Sequence, residues 1–288
     1  MKKSLSHLPK HKQDELEIIK NIILEKITDV RMIVLFGSYA RDEWVEDTHT
    51  EGCVTHVYES DYDILVITKT KKSADDYNAQ DRVEKAIEAT QKVKTPYGII
   101  YHSFGYVSQM ITEGQYFFTD IQKEGIYLYC TQEHRLGSVK TLTPQERKQI
   151  AEQEFKRWFE KAEGAYRQFQ HAMEDSDNKW AAFMLHQTTE SLYSAVTLVF
   201  INYRFRTHDI ERLGRKAISY NADFADVFPR DTDEKRIAFN LLRRAYVDAR
   251  YKDSYEITKE QLEYLAERVR VLQKLTKRIC SEKIENYV

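Results

Sequence analysis

The spacing of apolar residues changes once along this chain, near residue 135, and that change constrains the fold more than any motif does. Before it, β-branched apolar runs alternate with helical patterns. "RMIVLFG" (31–37), "YDILVIT" (62–68) and "YGIIYHSF" (97–104, entered through Pro96) read as buried strands. "DELEIIKNIILEKI" (14–27) and "ADDYNAQDRVEKAIEATQKV" (74–93) repeat apolar residues at i, i+3 and i+4 and read as helices. "EGQYFFTDIQKEGIYLYC" (113–130) reads as a short helix stopped near Gly125, then a short strand. After residue 135 no strand signal remains. Residues 143–173, 179–205, 209–220, 233–251 and 258–284 carry helical periodicity. The first is opened by Thr143-Pro144, with Glu146 placed for a capping box. The second is apolar almost all round and is expected at the centre. The fold class is therefore α+β: a mixed sheet with flanking helices over 1–138, then an antiparallel all-α bundle over 139–288, with the boundary in "QEHRLGSVKTLT" (132–143).

Charge and cysteine usage narrow the function. Lys plus Arg is 44 and Asp plus Glu is 46, a formal net charge of -2. That balance argues against a nucleic-acid partner held by bulk charge. Three cysteines with no clustered framework suit a reducing compartment. The N-terminus has a basic start without an apolar h-region, and no stretch of about 18 apolar residues exists, so neither signal peptide nor membrane partner is expected. A cytoplasmic protein is the expectation.

Two short stretches carry the chemistry. "FGSYARDEW" (36–44) is a strand end running into Gly-Ser, and "SDYDILVIT" (60–68) opens with acids at i and i+2. On a strand, i and i+2 share a face, so Asp61 and Asp63 are expected side by side. Two like charges so close call for a cation or a shared proton. Mg²⁺ (or Mn²⁺) fits, because it takes one or two carboxylates and completes its shell with substrate phosphates and water. Gly37 lets backbone approach a ligand, and N–H groups of a helix opening at Ser38 can face an anion. A metal-bridged nucleoside triphosphate satisfies both elements.

These residues resemble the signature of DNA polymerase β-type nucleotidyltransferases, in the minimal form with Gly-Ser-x-x-x-Arg. Gly37, Ser38, Asp61 and Asp63 match it, and Arg41 matches the arginine of "GSYARD". The resemblance covers roughly residues 10 to 130. It implies an Mg²⁺-dependent enzyme with ATP or another nucleoside triphosphate as substrate, Asp61 and Asp63 as catalytic metal ligands, Gly37 and Ser38 on the phosphates and Arg41 as a further phosphate contact. The family usually adds a third carboxylate on a neighbouring strand as general base. "YGIIYHSF" offers none; His102 or Tyr101 stands in that region, with Glu59 or Asp42 as substitutes from elsewhere, and His102 is the candidate base. The link "VEDTHTEGCVTHVYE" (45–59) is longer than usual and suits a hairpin over the site. Its His49, Cys53 and His56 have the ligand types of a zinc site but not paired close spacings, so a polar hairpin is the better reading.

The helical half resembles the HEPN family through "MLHQTTESLYSAVTLVF" (184–200) and "LLRRAYVDARYKDSY" (241–255). Ribonuclease members use Arg-x4-6-His. Here Tyr255 stands where that His would follow Arg250, and no His occurs after His208, so ribonuclease activity is not expected to transfer. His186, Glu190, Arg243, Arg244, Asp248, Arg250 and Tyr251 all fall on expected helices. One reading is a buried ion-pair network. The other is a wall for acceptor or phosphate, with Arg244, Arg250 and Tyr251 as its candidates. Trp158, Phe159, Tyr166, Phe169 and Trp180 read as core. The expected function is transfer of a nucleoside monophosphate, AMP from ATP, to a hydroxyl of a small molecule or a protein, with the bundle forming part of the acceptor cleft. In the protein case Tyr251 or Tyr255 is a candidate acceptor. The alternatives are a weak or inactive nucleotide-binding module and an interaction module of toxin-antitoxin type. A homodimer through the bundle is compatible with either.

Overall fold

The computed structural model describes residues 4–51, 54–131 and 136–287, with backbone alone over 47–51 and 54–59. Two compact units divide the chain, Met1–Thr141 and Leu142–Val288.

The first unit runs α1 (Lys10–Lys26), β1 (Val30–Phe36), α2 (Ser38–Arg41), β2 (Glu46–Glu51), β3 (Val54–Glu59), β4 (Tyr62–Thr68), α3 (Lys71–Ala74), α4 (Tyr77–Thr90), β5 (Tyr97–Ser103), α5 (Phe104–Thr112), α6 (Tyr116–Glu124) and β6 (Ile126–Cys130). Four strands form a mixed sheet in the order β5-β4-β1-β6. β1 pairs antiparallel with both β4 and β6, and β4 pairs parallel with β5. β1 and β4 are central and covered on both faces, which is why each reads as a continuous apolar run and not as an alternation. Leu16, Ile19 and Ile23 of α1, Val83 and Ile87 of α4, and Ile33, Leu35, Ile64 and Val66 of the strands form one core. Each such side chain contributes about 1.5–3 kcal/mol on burial. β2 and β3 form a separate two-stranded hairpin, with His49 and His56 in register.

Two expectations fail here for local reasons. The helix expected over 74–93 is shorter, spanning Tyr77–Thr90 as α4, because the Asp76 side chain accepts from the Ala79 N–H and starts it only there. A helix not foreseen, α5, follows β5 directly: Ser103 caps it through the Tyr106 N–H, so a strand end doubles as a helix start.

The second unit is helical throughout its described residues: α7 (Pro144–Glu174), α8 (Asn178–Ile201), α9 (Ile210–Tyr220), a 3-10 turn (Ala222–Phe224), α10 (Asp233–Arg244), α11 (Asp248–Tyr251) and α12 (Lys259–Glu285). The capping box of Thr143 and Glu146 is formed. α7 and α8 run antiparallel, Trp158 meeting Ala195 and Leu198. α8 packs against α7, α9, α10, α11 and α12 and is buried along most of its length. Three of its threonines bond within the helix: Thr188 and Thr189 donate to the carbonyls of Met184 and Leu185, each at 2.9 Å, and Thr197 to that of Ser194. The helix expected over 233–251 is divided into α10 and α11 by the turn at 245–247. The helix expected to 205 stops at Asn202, which adopts the left-handed conformation (φ 52°).

Candidate functional site

The structure brings Gly37 and Asp63 together. β1 ends at Phe36, which stands in register with Asp63 of β4. Gly37 follows with φ 76° and ψ -154°, a conformation L side chains rarely adopt. A Cβ on Gly37 would overlap Asp63 Oδ2 and lie 3.2 Å from its Cγ. Glycine is therefore required twice, by backbone angle and by the carboxylate against it. Asp61 lies one residue before β4 begins, and Asp61 and Asp63 are both half-buried. Between them, Tyr62 turns the opposite way into the core, its hydroxyl donating to Glu15 Oε2 at 2.8 Å. Ser38 opens α2, a single turn ending in Asp42 at φ 65°. Among the described residues no group of three or more His, Cys, Asp or Glu is placed to hold a metal.

Arg41 reaches the same neighbourhood but is not an idle cation. Its Nε donates to Glu43 Oε2 at 2.6 Å and its Nη1 lies 3.7 Å from Glu124 Oε2. Burial alone would lower its pKa; the bond to Glu43 and the fields of Glu43, Glu124 and Asp63 raise it.

His102 does not stand beside the acids. In the parallel β4–β5 pair, Asp63 is in register with Gly98 and Ile67 with His102. His102 is thus four rungs along, about 13 Å at ~3.3 Å per residue. It is buried, stacked on Tyr106 at 4.7 Å and edge-on to Phe118. A general base must come within hydrogen-bond reach of its proton, so the assignment of His102 as base is corrected to a core aromatic contact. The strand neighbour of Asp63 is a glycine without a side chain. Cys53 and the side chains of Glu59, His49 and His56 lie outside the described residues.

Residues that the sequence did not flag lie behind the turn. Lys12 is 3% exposed; its Nζ donates to Thr95 Oγ1 at 2.7 Å, pairs with Glu46 and sits 5.7 Å from the rings of both Tyr39 and Trp44. Glu15 accepts from the Thr95 hydroxyl (2.6 Å), the Lys94 N–H (2.8 Å) and Tyr62. Burial would raise the Glu15 pKa, but these donors and the Lys12 charge lower it. Burial would lower that of Lys12, but Glu46 and Tyr39 raise it. The signal was present: Lys12 and Glu15 extend the Leu16, Ile19, Ile23 stripe of α1 by one turn.

On the helical unit, the polar residues expected as one network or wall fall into separate groups. Arg243 pairs with Glu211 at 2.9 Å. Arg244 pairs with Asp248 at 2.6 Å, and Asp248 also holds Lys252 at 2.8 Å. Arg250 donates to the Tyr246 carbonyl and lies 4.4 to 4.9 Å from the rings of Tyr246, Phe183 and Tyr251. Glu190, buried, accepts from His208 (2.9 Å), Arg204 (3.3 Å) and Gln187 (3.3 Å), with His186 Nε2 at 3.9 Å. His186 is fully buried, with Nδ1 2.9 Å from the Leu242 carbonyl oxygen, and burial pushes its pKa down. Tyr251 is 72% exposed; Tyr255 is buried with its hydroxyl donating to the Leu241 carbonyl, which removes it as an acceptor. Trp180 is exposed, unlike Trp158, Tyr166 and Phe169, which are core.

Residues 155–279 match the family model of the HEPN domain, so a HEPN domain occupies most of the helical unit. No curated protein matches the chain. Among solved structures, that of TT1696 from Thermus thermophilus is similar over 46% of this chain and 98% of that one, at 21% identity and a TM-score of 0.27, too low to define a shared fold. No helix among the described residues is long and apolar enough to cross a membrane.

Proposed function

We propose that the first unit is a nucleotidyltransferase, moving a nucleoside monophosphate, AMP from ATP, onto a hydroxyl of a small molecule or a protein. The observation that carries this is Gly37: a backbone at positive φ, pressed against the Asp63 carboxylate, at the end of the central strand. A turn with no side chain beside a half-buried acid pair leaves room for phosphate and suits a hard cation. Asp61 and Asp63 would hold Mg²⁺ or Mn²⁺, which when bound offsets charge on the reacting phosphate. Gly37 and Ser38 would hold the triphosphate tail. Arg41, already ion-paired, would give a secondary contact and screen Asp63. The acceptor hydroxyl loses its proton to water and its oxygen bonds to the α-phosphorus as the bond to the β-phosphate bridge breaks and pyrophosphate leaves. If the acceptor is a protein, Tyr251 has the exposure a substrate tyrosine needs.

A second reading is favoured by Gly98. Its place in register with Asp63 leaves no carboxylate on that neighbouring strand, which suits a module that binds nucleotide with weak or no turnover, of toxin-antitoxin type. One experiment separates the two. Protein is incubated with Mg-ATP, with and without cell extract, beside Asp61→Asn/Asp63→Asn, and pyrophosphate and intact mass are read. Pyrophosphate, or a gain of one AMP, absent in the variant, supports the transferase. No release while Mg-ATP still raises the melting temperature supports the binding module.

A further inference from the structure

We propose that Lys12 and Glu15 of α1 are positioning residues for the Gly37–Asp63 site, an internal brace that fixes the turn and the acid strand from behind. The inference rests on the nucleotide reading of that site and adds residues that its signature does not contain. Four segments meet at the pair. Tyr39, in the turn two residues past Gly37, presents its ring to the Lys12 ammonium and stacks on Trp44 at 5.2 Å, nearly parallel. Tyr62, between Asp61 and Asp63, bonds to Glu15. Thr95, just before β5, bridges the two, donating to Glu15 while accepting from Lys12. Glu46, the first residue of the β2–β3 hairpin, pairs with Lys12. The rings of Tyr39 and Tyr62 are themselves 4.5 Å apart, so turn and acid strand are held through one contact.

A core does not need this arrangement for stability. Buried opposite charges are often no better than apolar residues of the same volume, because desolvation offsets their attraction. What directional bonds supply is a fixed geometry. Tyr62 shows the consequence: with its hydroxyl bonded inward, alternation along the strand turns Asp61 and Asp63 to the other face. The brace also borders a cavity of about 520 Å³ lined by Lys12, Glu15, Glu46 and Thr95, so its polar atoms are not sealed by apolar packing on every side.

Amide hydrogen exchange by mass spectrometry tests the brace without relying on turnover. The reporters are the N–H groups of Ala40, Arg41 and Glu43, which close the turn onto Gly37 and Ser38. The reference is the β1–β4 ladder from Ile33 to Leu35. In Lys12→Met, exchange of the turn amides is expected to rise about tenfold while the ladder keeps its protection, and Mg-ATP affinity should fall with it; Lys12→Arg should restore part of both. Should Lys12→Met not fold, Glu46→Gln, at an exposed partner, should give the same selective change at smaller size. Exchange that is unchanged, or raised equally in turn and ladder, would overturn the brace. Wild-type protein that bound no Mg-ATP would instead overturn the functional reading, and the two failures are told apart by measuring binding first.

Discussion

Among the described residues, Glu15 of the first unit and Glu190 of the helical unit are both buried carboxylates, and they are satisfied in opposite ways. Glu15 of the first unit is held by neutral donors fixed in the fold, a threonine hydroxyl, a tyrosine hydroxyl and a backbone N–H, with Lys12 close by. Glu190 of the helical unit is held chiefly by Arg204 and His208, whose side chains are 36% and 47% exposed. The first is a network of donors fixed by the fold behind a site, open to solvent on the side of Glu46. The second is a buried charge whose partners stand at the water's edge and can re-solvate. Burial of the acid alone does not set its role; what surrounds it decides whether it stiffens the fold or makes it respond to solvent.

The largest effect should come from removing the carboxylates. Glu15→Ala strands the buried Thr95 and Tyr62 hydroxyls and the Lys12 ammonium and frees the Lys94 N–H, and should destabilise the first unit by about 3–5 kcal/mol. Glu190→Ala leaves Arg204 and His208 able to turn to water, and should destabilise the second by about 1–2 kcal/mol. Urea titrations followed by Trp44 in one single-tryptophan background and Trp158 in another separate the units. Equal losses would break the contrast.

Glycine sharpens it next. Gly37→Ala forces a Cβ onto Asp63 at positive φ, and should destabilise by about 1–3 kcal/mol and abolish the Mg-ATP melting shift. Gly214→Ala, in α9, meets the Tyr193 side chain, its hydroxyl at 3.2 Å and Cζ at 3.4 Å, and should fall within about 1 kcal/mol of wild type, helix propensity offsetting the tight contact.

The smallest effect is in pH. The His186 pKa is lowered from its ordinary 6.5 by burial, the carbonyl of Leu242 and the charge of Glu190 opposing and His208 adding. A depressed group gives stability that is present above its unfolded pKa and lost as pH falls below it, so the helical unit should begin to weaken below about pH 6.5. The Glu15 pKa is lowered from 4.5, so the contribution of that carboxylate should hold until pH falls below about 4.5. Urea midpoints of the two units between pH 4 and 8 check this; parallel curves would count against it.

The fold was legible where one period ruled. β1 and β4 carry unbroken apolar runs, Met32 to Phe36 and Ile64 to Ile67, and α7 carries its own capping box, so their places could be read directly. It was not legible where one side chain outweighs the pattern. Asp76 delays a helix start, Ser103 turns a strand end into a helix cap, and Asn202 stops α8 in left-handed backbone. At the site, Gly37 and Asp63 were legible because their spacing needs no third element. His102 was misplaced because strand position in sequence carries no register; only the pairing of Ile67 with His102 fixes how far along β5 it lies. Lys12 and Glu15 were passed over because charged residues at a helix start are usually solvated, and what buries them comes from residues 39, 44, 62 and 95.

The most direct test of the central claim is calorimetric titration of Mg-ATP into the wild-type protein and into Asp61→Asn/Asp63→Asn, with circular dichroism confirming that both are folded. The account expects saturable binding by the wild type that disappears in the variant and weakens when Mg²⁺ is withheld. Equal binding by both proteins, or none by either, would contradict it.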